Sequence, residues 1–578
     1  MRKNWLVKGA GMLACGLAML ALTVGPAGAA DDKILEQLKA RLDVLEQQNK
    51  ELAEKLKSSG PYQPVYQQET KNEPTITEKA NINKQVDDYL RERDATSKSA
   101  KDAKAKALSD EGFVVGSDRN MTAQWSINGP SGVIFSTPNG DFTSHVGIYM
   151  QEDFNWFSQS PNLRSLRQSG DFTDGTFFRR IRPVWDGSAY DTFEWNFMLA
   201  LEQVQNGLIN LDENYVGAYG IPLIGRVRVG HLKVPQGLEA NQFSSSRAMT
   251  FQENAAYTDA FYNIFGTGIS FLNSYLDDRI TSQAMLYRND TSYTGATRGN
   301  NTAADFGDGD YAATGRLSAL LLDEAEDRHL LHVGLSGTYR KAENSPANGG
   351  VTGPSMVQFA ARPELRDAQG NFGSTGLPGN SVRLVDTGAL AGRGSTVLGS
   401  ELLYILGPFS AQAEWALDYA NSVTSGVAAT RTTRSTLNTQ TRSFNGGYVQ
   451  LSYFLTGETR QYDKAFGRLG SNYIANRPFS NFWLKRDENG GVAWGSGAWE
   501  VAARYSYLNL NDGTIQGGVL GCTSVGLNWY LCNNVKVQFE YNTSERWDKG
   551  VNPLASTGGG GNQSGFVDGF GTRVQFQY

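Results

Sequence analysis

The stretch "GAWEVAARYSYLNL", residues 497–510, decides how the rest of the chain is read. Ala, Glu, Leu and Arg all favour helix, so propensity alone predicts one here. Spacing predicts the opposite. Trp499, Val501, Ala503, Tyr505 and Tyr507 share one parity, and Glu500, Ala502, Arg504 and Ser506 share the other. On a helix such large apolar groups scatter around the cylinder, whereas on a strand they make a single face. The result is a strand with an aromatic side and a charged side.

The same pattern recurs from residue 142 to the end. "FEWNFMLALE" (193–202) sets Phe193, Trp195, Phe197 and Leu199 against Glu194, Asn196, Met198 and Ala200. "FSAQAEWALDYA" (409–420), "GGYVQLSYFL" (446–455) and "VGLNWYL" (525–531) alternate in the same way. Repeated strands of this kind mark a transmembrane β-barrel, with lipid on the greasy side and water on the polar one. A soluble sandwich also alternates, but its loops are short at both ends. Here tight links ("AYDTF" 189–193, "PLIGR" 222–226, "LDDR" 276–279, "EAEDR" 324–328, "LGPF" 406–409, "CNN" 532–534) alternate with long ones at 158–175, 236–265, 290–309, 343–395, 424–443 and 548–564. That asymmetry predicts an all-β fold: a transmembrane antiparallel barrel of about sixteen strands over 141–578. One link is anomalous, because 457–496 falls on the short side and is long. The chain ends "FGTRVQFQY", a strand with an aromatic terminus at Tyr578.

The N-terminal quarter reads differently. Arg2, Lys3 and Lys8 precede the sixteen-residue apolar run "GAGMLACGLAMLALTV", and Ala27-Gly28-Ala29 offers a cleavage site, so 1–30 is expected to be a signal peptide. Leu35, Leu38, Leu42, Leu45, Asn49, Leu52 and Leu56 make a heptad seam, which predicts an α-helical coiled coil over 31–60 with Asn49 as its register device. Residues 61–140 read as a polar linker.

Composition narrows the partners. A mean hydropathy of −0.41 is too polar for a helical membrane protein, and a net charge of −6 implies no nucleic acid. The barrel reading makes the outer-membrane lipid bilayer the principal partner. Cys522 and Cys532 flank one strand, ten residues of which span roughly 33 Å, so no disulfide joins them within it. Among His145, His231, His329 and His332 no catalytic constellation is legible, and no metal or cofactor motif stands out. What remains is the inward charge: Arg180, Arg182, Arg226, Arg228, Arg316, Arg340, Arg504 and Arg573 against Asp153, Asp186, Glu194, Glu202, Asp212, Glu414, Asp418 and Glu500. Such sets either pair across the wall or focus a field across a pore.

The chain also resembles the phosphate-selective porin O and P family. The resemblance is carried by "FFRRIRPVWDG" (177–187), "LDENYV" (211–216), "GLE" with the following "SSR" (237–247), "TFQEN" (250–254), "GTGI" (266–269), "YVQLSYFLTGE" (448–458) and "GAWEVAARYSYLNLND" (497–512). It implies a sixteen-stranded trimeric channel whose links 236–265, 343–395 and 457–496 fold into the lumen. It also implies pore-lining or anion-contacting roles for Arg179, Arg180, Asp212 and Arg247, beside the inward Arg182, Arg226 and Arg228. Two departures matter. The phosphate-selective members carry Lys where this chain has Ala240, and "FAARPELRD" supplies only Arg362 and Arg366 to the fifth link. The expectation is a passive outer-membrane diffusion channel, weakly anion-selective, homotrimeric, with its N-terminal segment in the periplasm. Restoring Lys at 240 is then expected to raise phosphate block. Rival readings are a barrel that tethers the membrane to the cell wall through the coiled coil, and an outer-membrane barrel enzyme.

Overall fold

The computed structural model describes residues 113–114, 122–126, 132–138, 140–166, 172–205, 208–242, 249–288, 311–324, 328–341, 344–347, 351–367, 383–387, 390–424, 439–470, 478–486, 492–513, 515–547 and 564–578. The signal segment, the heptad seam and Arg247 lie outside them.

Sixteen strands form the wall: β1 Phe142–Gln159, β2 Gly175–Ala189, β3 Phe193–Gln205, β4 Asn214–Ile221, β5 Gly225–Lys233, β6 Phe265–Tyr275, β7 Ile280–Arg288, β8 Tyr311–Glu324, β9 His329–Lys341, β10 Gly394–Leu406, β11 Phe409–Thr424, β12 Thr439–Phe454, β13 Ala498–Asp512, β14 Ile515–Tyr530, β15 Val535–Arg546 and β16 Gly565–Gln577. Each pairs antiparallel with the next. The last pairs antiparallel with the first, from Gln577 opposite Tyr149 to Val567 opposite Gln159. The sheet therefore has no edge along this seam, which is what a membrane demands of strands. Among the described residues no helix is long and apolar enough to cross a membrane.

The opening stretch behaves as its spacing predicts. In β13, Val501 and Tyr505 are exposed on the outer face while Glu500, Arg504 and Ser506 are buried inside. Tight turns close one end of the barrel. Tyr190, Asp191, Asp277 and Asp278 sit there at positive φ, the geometry that matches a two-residue hairpin to strand twist. Outward aromatics gather at that end, with Trp499 stacked on Trp529 at 4.8 Å and Trp185 edge-on to Trp195 at 6.1 Å.

Three connections enter the lumen. The link after β5 carries a short helix, α1 (Ala256–Phe261), and is buried along its described length. Carboxylates hold it. Glu414 accepts from the Leu238 and Glu239 N–H groups at 2.8 and 2.7 Å, Glu540 from Gln252 N–H at 2.7 Å, and Glu364 from Ala256 N–H at 2.8 Å. Glu364 belongs to the link after β9, which enters beside it. The long link after β12 divides. Its first part, 457–470, lies inside, while Phe482 packs edge-on at 4.5 Å against the outward Trp529. Among the described residues of this link, 457–470 follow the expectation of a lumen fold and Phe482 does not.

The expected linker also differs at its end. Thr122–Ser126 and Gly132–Ser136 form a hairpin that pairs with β1 at residues 143–146. It sits just beyond the point where Tyr578 and Ile148 exchange backbone hydrogen bonds of 2.8 and 2.6 Å. Cys522 and Cys532 are both free thiols.

Candidate permeation site

β2 brings the first group of cations inward. Its partner residues step from Gln151–Arg180 to Glu152–Phe178, leaving Arg179 as the extra residue of a β-bulge. Strict alternation would send Arg179 outward, and the bulge turns it inward beside Arg180. Arg179 then makes a two-pronged pair with Glu253 of the β5–β6 link, at 2.7 and 2.9 Å. Burial works against ionising Glu253, but Arg179, with Arg366 behind it, outweighs that and holds the carboxyl well below its ordinary range. Arg180 donates to Gln151 at 2.6 Å, and among the described residues it has no carboxylate partner and its Nε is unpaired. Arg182 meets Asp212 at 2.5 Å.

A second group is built around β5, three strands along the wall. Arg226 and Arg228, alternate residues of β5, both reach Glu194 on β3, at 2.6 and 2.8 Å. One carboxylate serves two guanidiniums. Lys233 donates to the Gln242 carbonyl at 2.6 Å, and Arg468 lies 3.5 Å from Asp463. These four cations line an open chamber with an empty volume of about 440 Å³, together with Glu213 and Phe466.

Arg504, on β13, adjoins the first group, donating to the Glu253 carbonyl at 3.0 Å. It donates to Glu364 at 2.9 and 2.6 Å and to Glu239 at 3.2 Å, with its guanidinium 4.6 Å from the Phe251 ring centre. Glu239 also accepts from Ala255 N–H and the Thr258 hydroxyl. Burial pushes the Glu239 carboxyl up to about 7 despite Arg504.

The arrangement corrects one expectation and completes others. Ala240 is fully buried in an apolar cluster with Tyr257, Phe261, Phe359 and Leu508, so its side chain faces no aqueous path. Most inward arginines pair with acids, either across the wall, as Arg340 does with Asp418 and Arg573 with Asp153, or with an inserted link. Arg180, Arg182, Arg226, Arg228 and Asp212 all face the lumen, in the two groups described. Spacing missed Lys233, Glu253, Phe466 and Arg468. The last two had one signal, the unexplained length of the link that carries them. Among the described residues no His, Cys, Asp and Glu cluster has the makings of a metal site.

A family model described as "Phosphate-selective porin O and P" matches residues 147–578. Porin O of Pseudomonas aeruginosa is 25% identical over 492 residues, covering 82% of this chain and 97% of that protein. Among solved structures, an anion-selective porin from Comamonas acidovorans aligns with a TM-score of 0.40 and 11% identity, over 75% of this chain and 100% of that one. A Salmonella typhi OmpF complex with daunomycin aligns with a TM-score of 0.40 and 11% identity, over 76% and 98%.

Proposed function

Because the chain belongs to the phosphate-selective porin O and P family and is an outer-membrane porin rather than an enzyme, we propose that its finer character is weak anion preference without a tight phosphate site. One observation carries this reading: Arg226 and Arg228 share the single carboxylate of Glu194. Four basic side chains of the chamber, Arg226, Arg228, Lys233 and Arg468, face three acids, Glu194, Glu213 and Asp463, so the lumen face keeps a surplus of positive charge. Arg180 on β2 adds another cation. A tight oxyanion site needs several donors free to converge on the ligand. Here most guanidiniums already point at acids, so the surplus steers anions without binding them firmly. Planar-bilayer recording in a salt gradient tests this. The expected reversal potential favours anions modestly, and phosphate is expected to block chloride current only weakly. Tight phosphate block, or cation preference, would overturn the reading.

We further propose a homotrimer. Glu152 shares the outward parity of Met150, Phe154 and Trp156 on β1, and among the described residues it has no partner. A carboxylate facing acyl chains is costly, and a neighbouring subunit would cover it. Glu152→Leu should weaken the trimer on gels while each barrel stays folded. A trimer unchanged or strengthened by Glu152→Leu counts against this contact.

The heptad seam supports a periplasmic coiled-coil stalk joined to the barrel through the 61–140 segment. Deleting 31–110 should leave a folded barrel of unchanged conductance. Contact of the stalk with the cell wall is the second reading. A silent barrel in intact trimers that co-sediments with peptidoglycan would favour that tether.

A further inference from the structure

Phe466 occupies the tip of the inserted 457–470 segment, and three guanidiniums surround its ring. The carbon centres of Arg468, Arg226 and Arg228 lie 4.2, 4.8 and 5.1 Å from the ring centroid. The two wall arginines each have a second ring as well: Tyr219 lies 5.1 Å from Arg226 and Tyr215 4.3 Å from Arg228. Each is thus held between a tyrosine of β4 and the phenylalanine of the turn.

Three like charges around one small ring repel each other, and Glu194 neutralises only one of the two on β5. The negative faces of an aromatic ring offset part of that repulsion. An aliphatic side chain of similar size fills the space and offers no such field.

The turn that carries the ring is held firmly. Gln283 donates to the Phe466 carbonyl at 3.1 Å and Arg316 to the Gly467 carbonyl at 2.7 Å, while Lys464 pairs with Asp323 at 2.7 Å. Gly467 has φ 56°, and a Cβ there would stand 2.5 Å from the Ser318 hydroxyl oxygen. The turn therefore cannot drift along β7 and β8 without losing these contacts. A segment that enters from the short-turn end sets the position of cations that belong to the wall.

We propose that Phe466 is a positioning residue for permeation, gathering Arg226, Arg228 and Arg468 into one cationic surface along the chamber. This rests on the anion preference proposed above. Phe466 touches no solute in this role; it acts through the arginines. Without its ring, nothing offsets the repulsion between Arg468 and the two wall arginines, the three guanidiniums draw apart, and the surface loses its continuity.

The test compares single-channel conductance and the anion-to-cation permeability ratio of the full-length channel with its Phe466→Leu, Phe466→Tyr and Arg468→Gln variants. Phe466→Leu should lower the ratio by about two- to tenfold, the range expected from losing ring–cation contacts. Phe466→Tyr should restore it, which a merely space-filling role would not require. An anion-selective wild type whose Phe466→Leu variant keeps its ratio overturns the proposal alone. A wild type without anion preference overturns the underlying reading and the proposal with it. Should Phe466→Leu fail to assemble, Arg468→Gln removes the cation that the turn contributes and should lower the ratio. An unchanged ratio in that variant also overturns the proposal.

Discussion

Arg573 on the last strand grips Asp153 on the first through two parallel bonds of 2.6 and 2.7 Å, across the seam where the barrel closes. Both side chains are almost wholly buried, and Glu253 accepts a further bond from Arg573 at 3.0 Å. The same guanidinium thus ties the seam to the inserted link.

Breaking this pair from one side leaves a buried charge without compensation, which costs about 3–5 kcal/mol. Arg573→Ala is expected to lower the urea midpoint of the folded barrel by that order, read from the gel shift between folded and unfolded forms. Replacing both partners with apolar residues, Asp153→Leu with Arg573→Met, should recover only part of the loss, because Glu253 then loses the bond from Arg573 and keeps only Arg179 and Arg366. Full recovery would mean that the bond to Glu253 is immaterial.

The wall was legible because lipid and water impose alternation on every strand. Val501 and Glu500 differ in polarity for that reason alone, and the reading needs no knowledge of what either residue touches. Arg179 shows where this ends. A β-bulge adds one residue, the parity slips, and nothing in the composition of "FFRRIR" marks the place. The site was legible only as a set of inward charges. Arg504 finds Glu364 and Glu239 at 140 and 265 residues' separation, which no local pattern encodes. Ala240 makes the same point from the other direction. Its identity departs visibly from the family, yet its burial depends on how the link folds.

Selectivity should respond in opposite directions to the two members of the shared pair. Arg228→Ala removes one of the two cations on Glu194 and is expected to lower the anion-to-cation permeability ratio. Glu194→Gln leaves both cations without a counter-charge and is expected to raise it. Each change should be about two- to tenfold, a tenfold ratio being about 1.4 kcal/mol. Arg180→Ala, which removes a cation with no carboxylate partner, should act like Arg228→Ala. Movement of the ratio in one direction for both Arg228→Ala and Glu194→Gln would mean that pore shape, not charge, sets it.

Restoring lysine at position 240 should not restore a phosphate site. The Ala240 side chain is fully buried against aromatic and aliphatic neighbours, and burying an ammonium there costs several kcal/mol unless it is paired. Ala240→Lys is therefore expected to loosen the inserted link. The signs would be a lower urea midpoint and noisier single-channel current, with phosphate block no stronger than in the parent. A tight block by phosphate would show that the link can turn this side chain into the lumen.

The last prediction concerns pH. Burial raises the Glu239 carboxyl to about 7, against an ordinary value of 4.5. Glu253, in the same link, is held well below that value. A native state that binds a proton more tightly than the unfolded chain is favoured by acid. The stability owed to protonated Glu239 is present below about pH 4.5 and is lost as pH rises through about 7. Glu253 contributes the other way, and its share disappears only in acid well below pH 4.5. Between about pH 8 and pH 6, Glu239 is thus the one of these two carboxylates that changes charge. Protonating it leaves Arg504 with Glu364 alone, so the lumen gains one net positive charge. The anion-to-cation ratio should rise by a few fold as pH falls across this window. In Glu239→Gln the step should shrink and the ratio near pH 8 should move toward the acid value, because the amide keeps the shape and has no charge to lose. A pH step of undiminished size in Glu239→Gln would assign the titration to another group.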